Sequence, residues 1–252
     1  MLSIVCVYNN EEILNNYLIN SLNNQNSDYE LILVDNRGGR FQSASKALNY
    51  GGKKATQKYI MFVHQDMNLI SSNWLDNAEH ILNTLNNLGI AGVAGKNKEY
   101  WLPLSNIKDG LPPQYVSPQK ITTPMRVQTL DECLLIIPKK IFNLLSFDDV
   151  TCNDWHLYGV DFCLTIKKLD YEVYVLPLHA HHRSRGESMS ERYFETLKKL
   201  LKKHSNYRII YTTVDDWLTF VPLCIQRKFP FTQNIICTIL RLFNPSDGPI
   251  YD

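Results

Sequence analysis

Residues 59–66 read Tyr59-Ile60-Met61-Phe62-Val63-His64-Gln65-Asp66, an apolar run that ends in three polar side chains. Five consecutive apolar residues, aromatic and β-branched among them, suit a strand buried on both faces of a parallel sheet. Open α/β sheets bind ligands at the carboxyl ends of their strands, so His64, Gln65 and Asp66 stand where chemistry is expected. An imidazole and a carboxylate two residues apart can share a divalent cation or a ribose. The plain alternative is a polar loop capping a strand, and the order of the neighbouring elements decides between the two.

Outward from this run, strands and helices alternate. Leu2–Val7 reads as a first buried strand. Asn9 or Asn10 then caps a helix with Glu11 and Glu12 in its first turn, where the dipole favours negative charge. Ile13, Leu14, Tyr17, Leu18 and Leu22 give that helix one apolar face. Leu31–Val34 is a second strand, and Ser43–Ala55 a helix loosened at Gly51-Gly52. After the central run come a helix near Trp74–Leu85 and a short strand at Ile90–Val93. Such alternation predicts an α/β fold with a mostly parallel central sheet and right-handed crossovers. Five of the eleven prolines then fall between Pro103 and Pro124, which reads as a long, partly ordered loop over the sheet edge. Leu134–Ile137 returns to a strand, Lys139–Leu145 and Asp161–Lys168 to helices, and Glu172–Leu176 to the last clear strand.

Composition narrows the function classes. With 26 basic and 25 acidic residues in 252, bulk charge gives no reason to expect nucleic acid. Six cysteines lie scattered without a C-x-x-C pair, as thiols of a reducing compartment do. The chain opens on a strand without a charged leader, and no uncharged run is long enough to span a bilayer. The expected location is the cytoplasm.

Four segments together resemble family 2 glycosyltransferases of the GT-A, Rossmann-like fold: SIVCVYNNEE (Ser3–Glu12), ELILVDN (Glu30–Asn36), SKALNYGGKKA (Ser45–Ala55) and FVHQD (Phe62–Asp66). The resemblance implies a metal-dependent, inverting transfer of sugar from a nucleotide-diphosphate sugar to a hydroxyl of a glycan or lipid-linked acceptor. It also implies a setting in bacterial surface glycan assembly. Val7, Tyr8, Asn9, Asp35, Asn49, His64 and Gln65 fall on its donor-binding positions. Tyr8 either stacks on a base or packs at the sheet edge, and Asn49 either meets the nucleotide or braces the sheet. His64 replaces the first aspartate of the family's D-x-D, Asp66 keeps the metal-ligand position, and Leu48 replaces an arginine. An imidazole beside a carboxylate favours Mn²⁺ over Mg²⁺.

LDECLLIIPKKIF (Leu130–Phe142) resembles the strand that presents acidic residues to the acceptor, here Asp131 and Glu132. VDFCLTIKKLDYEVYVLP (Val160–Pro177) resembles a segment that a glutamate-aspartate pair usually precedes, supplying the general base. Tyr158 and Gly159 hold those two positions, so the base falls to Asp161 first, then His156, with Asp154 also near. An unassisted alcohol is a poor nucleophile at neutral pH. In HAHHRSRGES (His179–Ser188) the resemblance implies a histidine that returns to the metal, His182 or His181 beside it, and Arg183 and Arg185 are placed to neutralise diphosphate charge.

The resemblance stops near Gly186, dividing the chain into a catalytic domain, 1–187, and a basic, largely helical extension, 188–252. Ser188 and Glu191 suit a capping box. Behind it Lys198, Lys199, Lys202 and Lys203 line one helix face, fit either for an anionic membrane surface or for ordinary domain surface. Two rivals stay in view. A nucleotidyltransferase wants a glycine-rich basic loop after the first strand, which Tyr8-Asn9-Asn10 lacks. A catalytically silent sugar-nucleotide-binding module agrees with the altered D-x-D and the missing acidic pair.

Overall fold

The computed structural model describes residues 1–184 and 189–243. Its centre is a seven-stranded sheet in the order Met125–Arg126, Glu172–Val175, Leu88–Gly92, Leu134–Pro138, Tyr59–Val63, Leu2–Tyr8, Glu30–Asp35. Leu2–Tyr8 pairs in parallel with both Glu30–Asp35 and Tyr59–Val63, and Glu172–Val175 in parallel with Leu88–Gly92. Leu134–Pro138 runs antiparallel between Tyr59–Val63 and Leu88–Gly92. Its entry therefore lies beside the exits of its neighbours, and the loop before it delivers Asp131 and Glu132 to the carboxyl edge.

The central run is buried throughout, as five apolar residues with no polar alternation require. Apolar clusters fill both faces of the sheet, with Phe62, Ile137 and Phe147 on one and Met61, Trp74 and Ile136 on the other. The helix Ala44–Gly52 lies so close to the sheet that a Cβ on Gly51 would come within 2.4 Å of Val5 Cγ1. That approach is why two glycines sit in a helix they would otherwise weaken. The first helix, 11–23, is capped by Asn10, whose side chain accepts from the Ile13 N–H, and widens to a π turn at Asn15–Ile19.

The proline-rich stretch is more ordered than expected. Lys108–Asp109 and Gln114–Tyr115 join Met67–Leu69 and Ala180–His182 in a four-stranded sheet. Gly110 N donates to the His182 carbonyl at 3.0 Å, tying this stretch to the histidine strand.

The helix Glu191–Lys203 is capped by Ser190, which accepts from Tyr193 N at 3.3 Å, while the expected cap Ser188 lies outside the described residues. Its face bearing Leu197, Leu200 and Leu201 belongs to the same core as Phe62 and Ile137, so the expected boundary at residue 188 does not divide the core. Two of its four lysines are engaged within the fold. Lys199 reaches Asn153 Oδ1 at 2.9 Å, and Lys203 reaches Asp148 Oδ2 at 2.8 Å. A hairpin, Ile209–Tyr211 with Asp216–Leu218, precedes helices Leu223–Lys228 and Pro230–Phe243. The last helix leaves Phe231 77% and Phe243 80% exposed. Among the described residues no helix is long and apolar enough to cross a membrane.

Candidate active site

Where the central strand ends, His64, Asp66 and His182 bring one ligand atom each to within 4.8 Å of one another. Two residues come from the strand exit, and His182 arrives on the strand that pairs antiparallel with Met67–Leu69. His182 Nε2 lies 3.4 Å from Asp66 Oδ1, and its Nδ1 lies 3.6 Å from Asp109 Oδ1. Ser184 Oγ donates to Asp66 Oδ2 at 2.7 Å, and the Arg183 N–H donates to the Asp66 carbonyl at 3.1 Å. His181 points away, its Nε2 3.0 Å from the Gly110 carbonyl oxygen, because neighbouring residues of a strand face opposite sides. It does not join the group.

Charges within the triad are set by their surroundings. Burial pushes His64 down to about 4, helped by His182, so it stands neutral as a metal ligand must. For Asp66, burial works upward, but hydrogen bonds from His182 and Ser184 and the nearby imidazoles hold it well below the usual carboxylate range. His182 shows the reverse. Burial works downward, but Asp109 and Asp66 push it up to about 10, so without metal it holds a proton between two carboxylates. Two imidazoles and a carboxylate, converging from two strands, suit a divalent transition ion. Asp109 behind His182 supplies the outer-shell partner such ligands usually have.

The triad sits where two cavities of about 480 Å³ each meet, and His64, His156 and Ser184 line both. The first cavity is also walled by Val7, Tyr8, Asn9 and Gln65, four of the expected donor residues. Gln65 Oε1 accepts from the Asn9 and Asn10 N–H groups at 3.1 and 3.0 Å, locking the first strand's turn to the strand carrying the triad. Two expected donor residues are not brought here. Asp35 is held outside by Arg37, with Nη2–Oδ2 at 2.6 Å. Asn49 exchanges two hydrogen bonds with the Phe147 backbone, at 2.8 and 3.0 Å, and braces the sheet. Arg183 turns its guanidinium toward Tyr17 and lines neither cavity, and Arg185 lies outside the described residues.

Asp131 and Glu132 line the second cavity with Leu157, Tyr193 and Thr213. Asp131 accepts from Cys133 N at 3.0 Å and from Thr213 Oγ1 at 2.7 Å. Burial works upward on Asp131, yet these two donors hold its pKa below the ordinary value. Glu132 accepts from Gly159 N at 2.9 Å. Of the three base candidates, only His156 lines either of these two cavities; burial lowers its pKa while Asp154 opposes that. Asp161 is 2% exposed and sealed between Lys203 Nζ and His204 Nε2, each at 2.8 Å. Its place one turn into the helix turns it toward the later helix and away from the cavities, so the base assignment to Asp161 is corrected. Asp154 is also buried outside both cavities, 4.0 Å from Arg192.

A family model described as a glycosyltransferase-like family matches residues 2–204. The chain belongs to that family. The glycosyltransferase is 26% identical over 180 residues to the "ATP synthase subunits region ORF 6" protein of Fuscovulum blasticum, covering 68% of each chain. Its fold is similar to that of Staphylococcus aureus TarS (residues 1–349) in complex with UDP-GlcNAc: TM-score 0.57, 17% identity, 81% of this chain and 66% of that one. It is also similar to the Pyrobaculum calidifontis mannosyltransferase PcManGT in complex with GDP-Man and Mn²⁺: TM-score 0.57, 12% identity, 96% of this chain and 72% of that one. A third is GalNAc-T7 with UDP, GalNAc and Mn²⁺: TM-score 0.52, 12% identity, 82% of this chain and 48% of that one. The glycosyltransferase thus spans just under two thirds of the TarS fragment and about half of GalNAc-T7. These likenesses establish the GT-A architecture expected from the sequence.

Sequence reasoning missed several residues that build the glycosyltransferase site. Ser184 lay in the histidine loop, but a serine in a polar loop carries no signal of its own. Tyr158, noted for standing at one position of the missing acidic pair, puts its hydroxyl 3.4 Å from His64 Nε2. Thr213 comes from the hairpin beyond residue 204, where no motif pointed.

Proposed function

We propose that the glycosyltransferase moves a sugar from a nucleotide-diphosphate sugar in the first cavity to an acceptor hydroxyl in the second, with inversion. The observation that carries this reading is the meeting of two cavities of similar size at one triad of metal-ligand type. His64, Asp66 and His182 would hold a divalent cation, Mn²⁺ in preference to Mg²⁺ given two imidazoles. Such a cation supplies neutralising charge for the departing diphosphate. The solved proteins of similar fold that carry UDP-GlcNAc, or GDP-Man with Mn²⁺, support the donor class. The resemblance to surface-polysaccharide enzymes supports bacterial surface glycan assembly on a glycan or lipid-linked acceptor.

The test is thermal shift with a panel of UDP- and GDP-sugars, with and without Mn²⁺, since a bound ligand raises apparent stability by mass action. A Mn²⁺-dependent rise of several degrees with one donor class is expected. No rise with any nucleotide sugar refutes the reading.

A second reading concerns location, on the cytoplasmic face of the membrane. Ile235, Ile239 and Leu242 join Phe231 and Phe243 as exposed apolar side chains, on a helix without an acidic residue and next to the exposed Lys228. Such a face suits insertion at the boundary of an anionic bilayer. The lysine helix is the weaker candidate, because Lys199 and Lys203 are engaged within the fold. Anionic vesicles should co-sediment the parent and release F231S/L242S, while K198Q/K202Q stays bound. Equal sedimentation of F231S/L242S and the parent refutes this reading.

A further inference from the structure

We propose that Glu132 is the catalytic base that takes the proton of the acceptor hydroxyl, occupying space that a side chain at residue 159 would otherwise fill. The inference rests on the functional reading above. A Cβ built on Gly159 would come within 2.9 Å of Glu132 Cγ and 3.6 Å of Glu132 Oε1. The absence of a side chain at Gly159 is what lets the Glu132 carboxylate lie over the start of the helix Tyr158–Lys167. Leu157, just ahead of that helix, takes a left-handed backbone with φ 67°, uncommon for a bulky residue. In this turn the Gly159 N–H donates to Glu132 Oε1 at 2.9 Å, and the Leu157 and Tyr158 N–H groups beside it also favour the charged carboxylate. Strained backbone of this kind is held where surrounding structure over-determines it, often at active sites.

Position separates Glu132 from its rivals. It lines only the second cavity, whereas His156 borders the donor cavity as well. In a displacement at the anomeric carbon the base belongs on the acceptor side, away from the leaving group. Asp131 shares the second cavity, but one carboxylate oxygen is committed to Cys133 N and the other to Thr213 Oγ1. Asp161 is sealed. The step balances without a further reactant. The acceptor oxygen bonds to the anomeric carbon, its proton passes to a Glu132 oxygen, and the carbon–oxygen bond to the diphosphate breaks with its electron pair on the nucleotide.

The titratable groups facing Glu132 are Asp131 from its own loop, Tyr158 and Cys163 from the helix, Cys152, and Tyr193 from the helix Glu191–Lys203. His64, His156 and His182 line the same cavity, and of these His182 carries a positive charge when no metal is bound. Burial, with Asp131 adding to it, pushes Glu132 up to about 8, a basicity matched to proton abstraction near neutral pH.

The experiment measures Mn²⁺-dependent breakdown of UDP- and GDP-sugars with glycerol present as a surrogate hydroxyl acceptor. It compares the parent, E132Q, E132A, G159D and the double variant E132A/G159D. Glutamine can still accept from Gly159 N–H, so E132Q should keep its melting temperature and its Mn²⁺-dependent affinity for UDP or GDP. Its turnover should fall by about 10²–10⁴-fold, and the rising limb of the parent's pH profile near 8 should vanish. G159D alone collides with Glu132 and should be impaired. E132A/G159D, with a carboxylate returned from the other side, should recover at least about tenfold over E132A. A purely structural cap predicts no such recovery. Parent-like turnover in E132Q overturns the inference alone, as does loss in E132Q without recovery in the double variant. A parent with no Mn²⁺-dependent nucleotide binding overturns the functional reading and the inference together.

Discussion

Two groupings of histidine and aspartate among the described residues have opposite characters. His64, Asp66 and His182 stand at the junction of two cavities. Asp161, His204 and Lys203 form the other, in which His204 is fully buried and Asp161 nearly so. In the first, a proton on His182 lies between two carboxylates at 3.4 and 3.6 Å, and a cation able to reach the cavity can replace it. In the second, both Asp161 oxygens are already saturated by donors at 2.8 Å. Residue types and spacing alone do not separate a reactive carboxylate from a structural one. The separation comes from whether its partners leave it anything to bind.

The largest effect that breaks the comparison is Asp66→Asn. It should lower Mn²⁺-dependent turnover by at least about 10²-fold and abolish the Mn²⁺-dependent part of nucleotide binding, with the far-UV spectrum unchanged. Affinity equal to the parent's would remove Asp66 from the metal site. Asp109→Asn acts one step further out, through His182. Mn²⁺ affinity measured by titration calorimetry should weaken about tenfold, with nucleotide affinity at saturating Mn²⁺ preserved.

The proton on His182 sharpens the contrast. Metal binding must expel it, so Mn²⁺ affinity should rise roughly tenfold per pH unit between pH 6 and 8, with about one proton released per ion. Buffers of different ionisation enthalpy would reveal that proton, and a flat profile would contradict the protonated His182. Without metal the sign reverses. A histidine raised from 6.5 to about 10 contributes stability that is full below 6.5 and lost as pH rises through about 10. Asp66, held low, contributes stability that fades only in strong acid.

The smallest catalytic effect is reserved for Asp161→Asn. Donor affinity and turnover per folded molecule should stay within about twofold of the parent, while stability drops on the order of 2–4 kcal/mol from the broken buried pair. Denaturant melts beside kinetics would show whether the two groupings are as separate as their positions imply.

Much of the donor half is readable from sequence because its signals are local. A five-residue apolar run rich in aromatic and β-branched types suits a buried strand, and the residues that end it then meet whatever the sheet edge holds. The resemblance puts His182 on the metal through its loop, and the structure brings its ring beside His64 and Asp66. Asp161 was misassigned because its partners sit in a helix beyond residue 190, and no pattern around the aspartate announces them. Asp35 and Asn49 were drawn to the donor by motif position, yet each is used up by a nearby partner, Arg37 or the Phe147 backbone. The place of Glu132 was equally hidden, since it depends on the emptiness of Gly159 across the fold.

The strand bearing His182 also sets when the site exists. Ser184 and Asp66, bound to each other beside the triad, stand 118 positions apart in the chain. The sheet between them closes only once Leu134–Pro138 has inserted between two strands that precede it in the chain. A polypeptide leaving the ribosome therefore presents most of the first cavity's wall, His64 and Asp66 included, well before His182 can complete the triad. Contacts of such long separation are the slow ones in folding, since the loop must close before they give any reward. A half-made chain that ends before residue 182 thus carries most of the first cavity's wall but only two of the three residues of the triad.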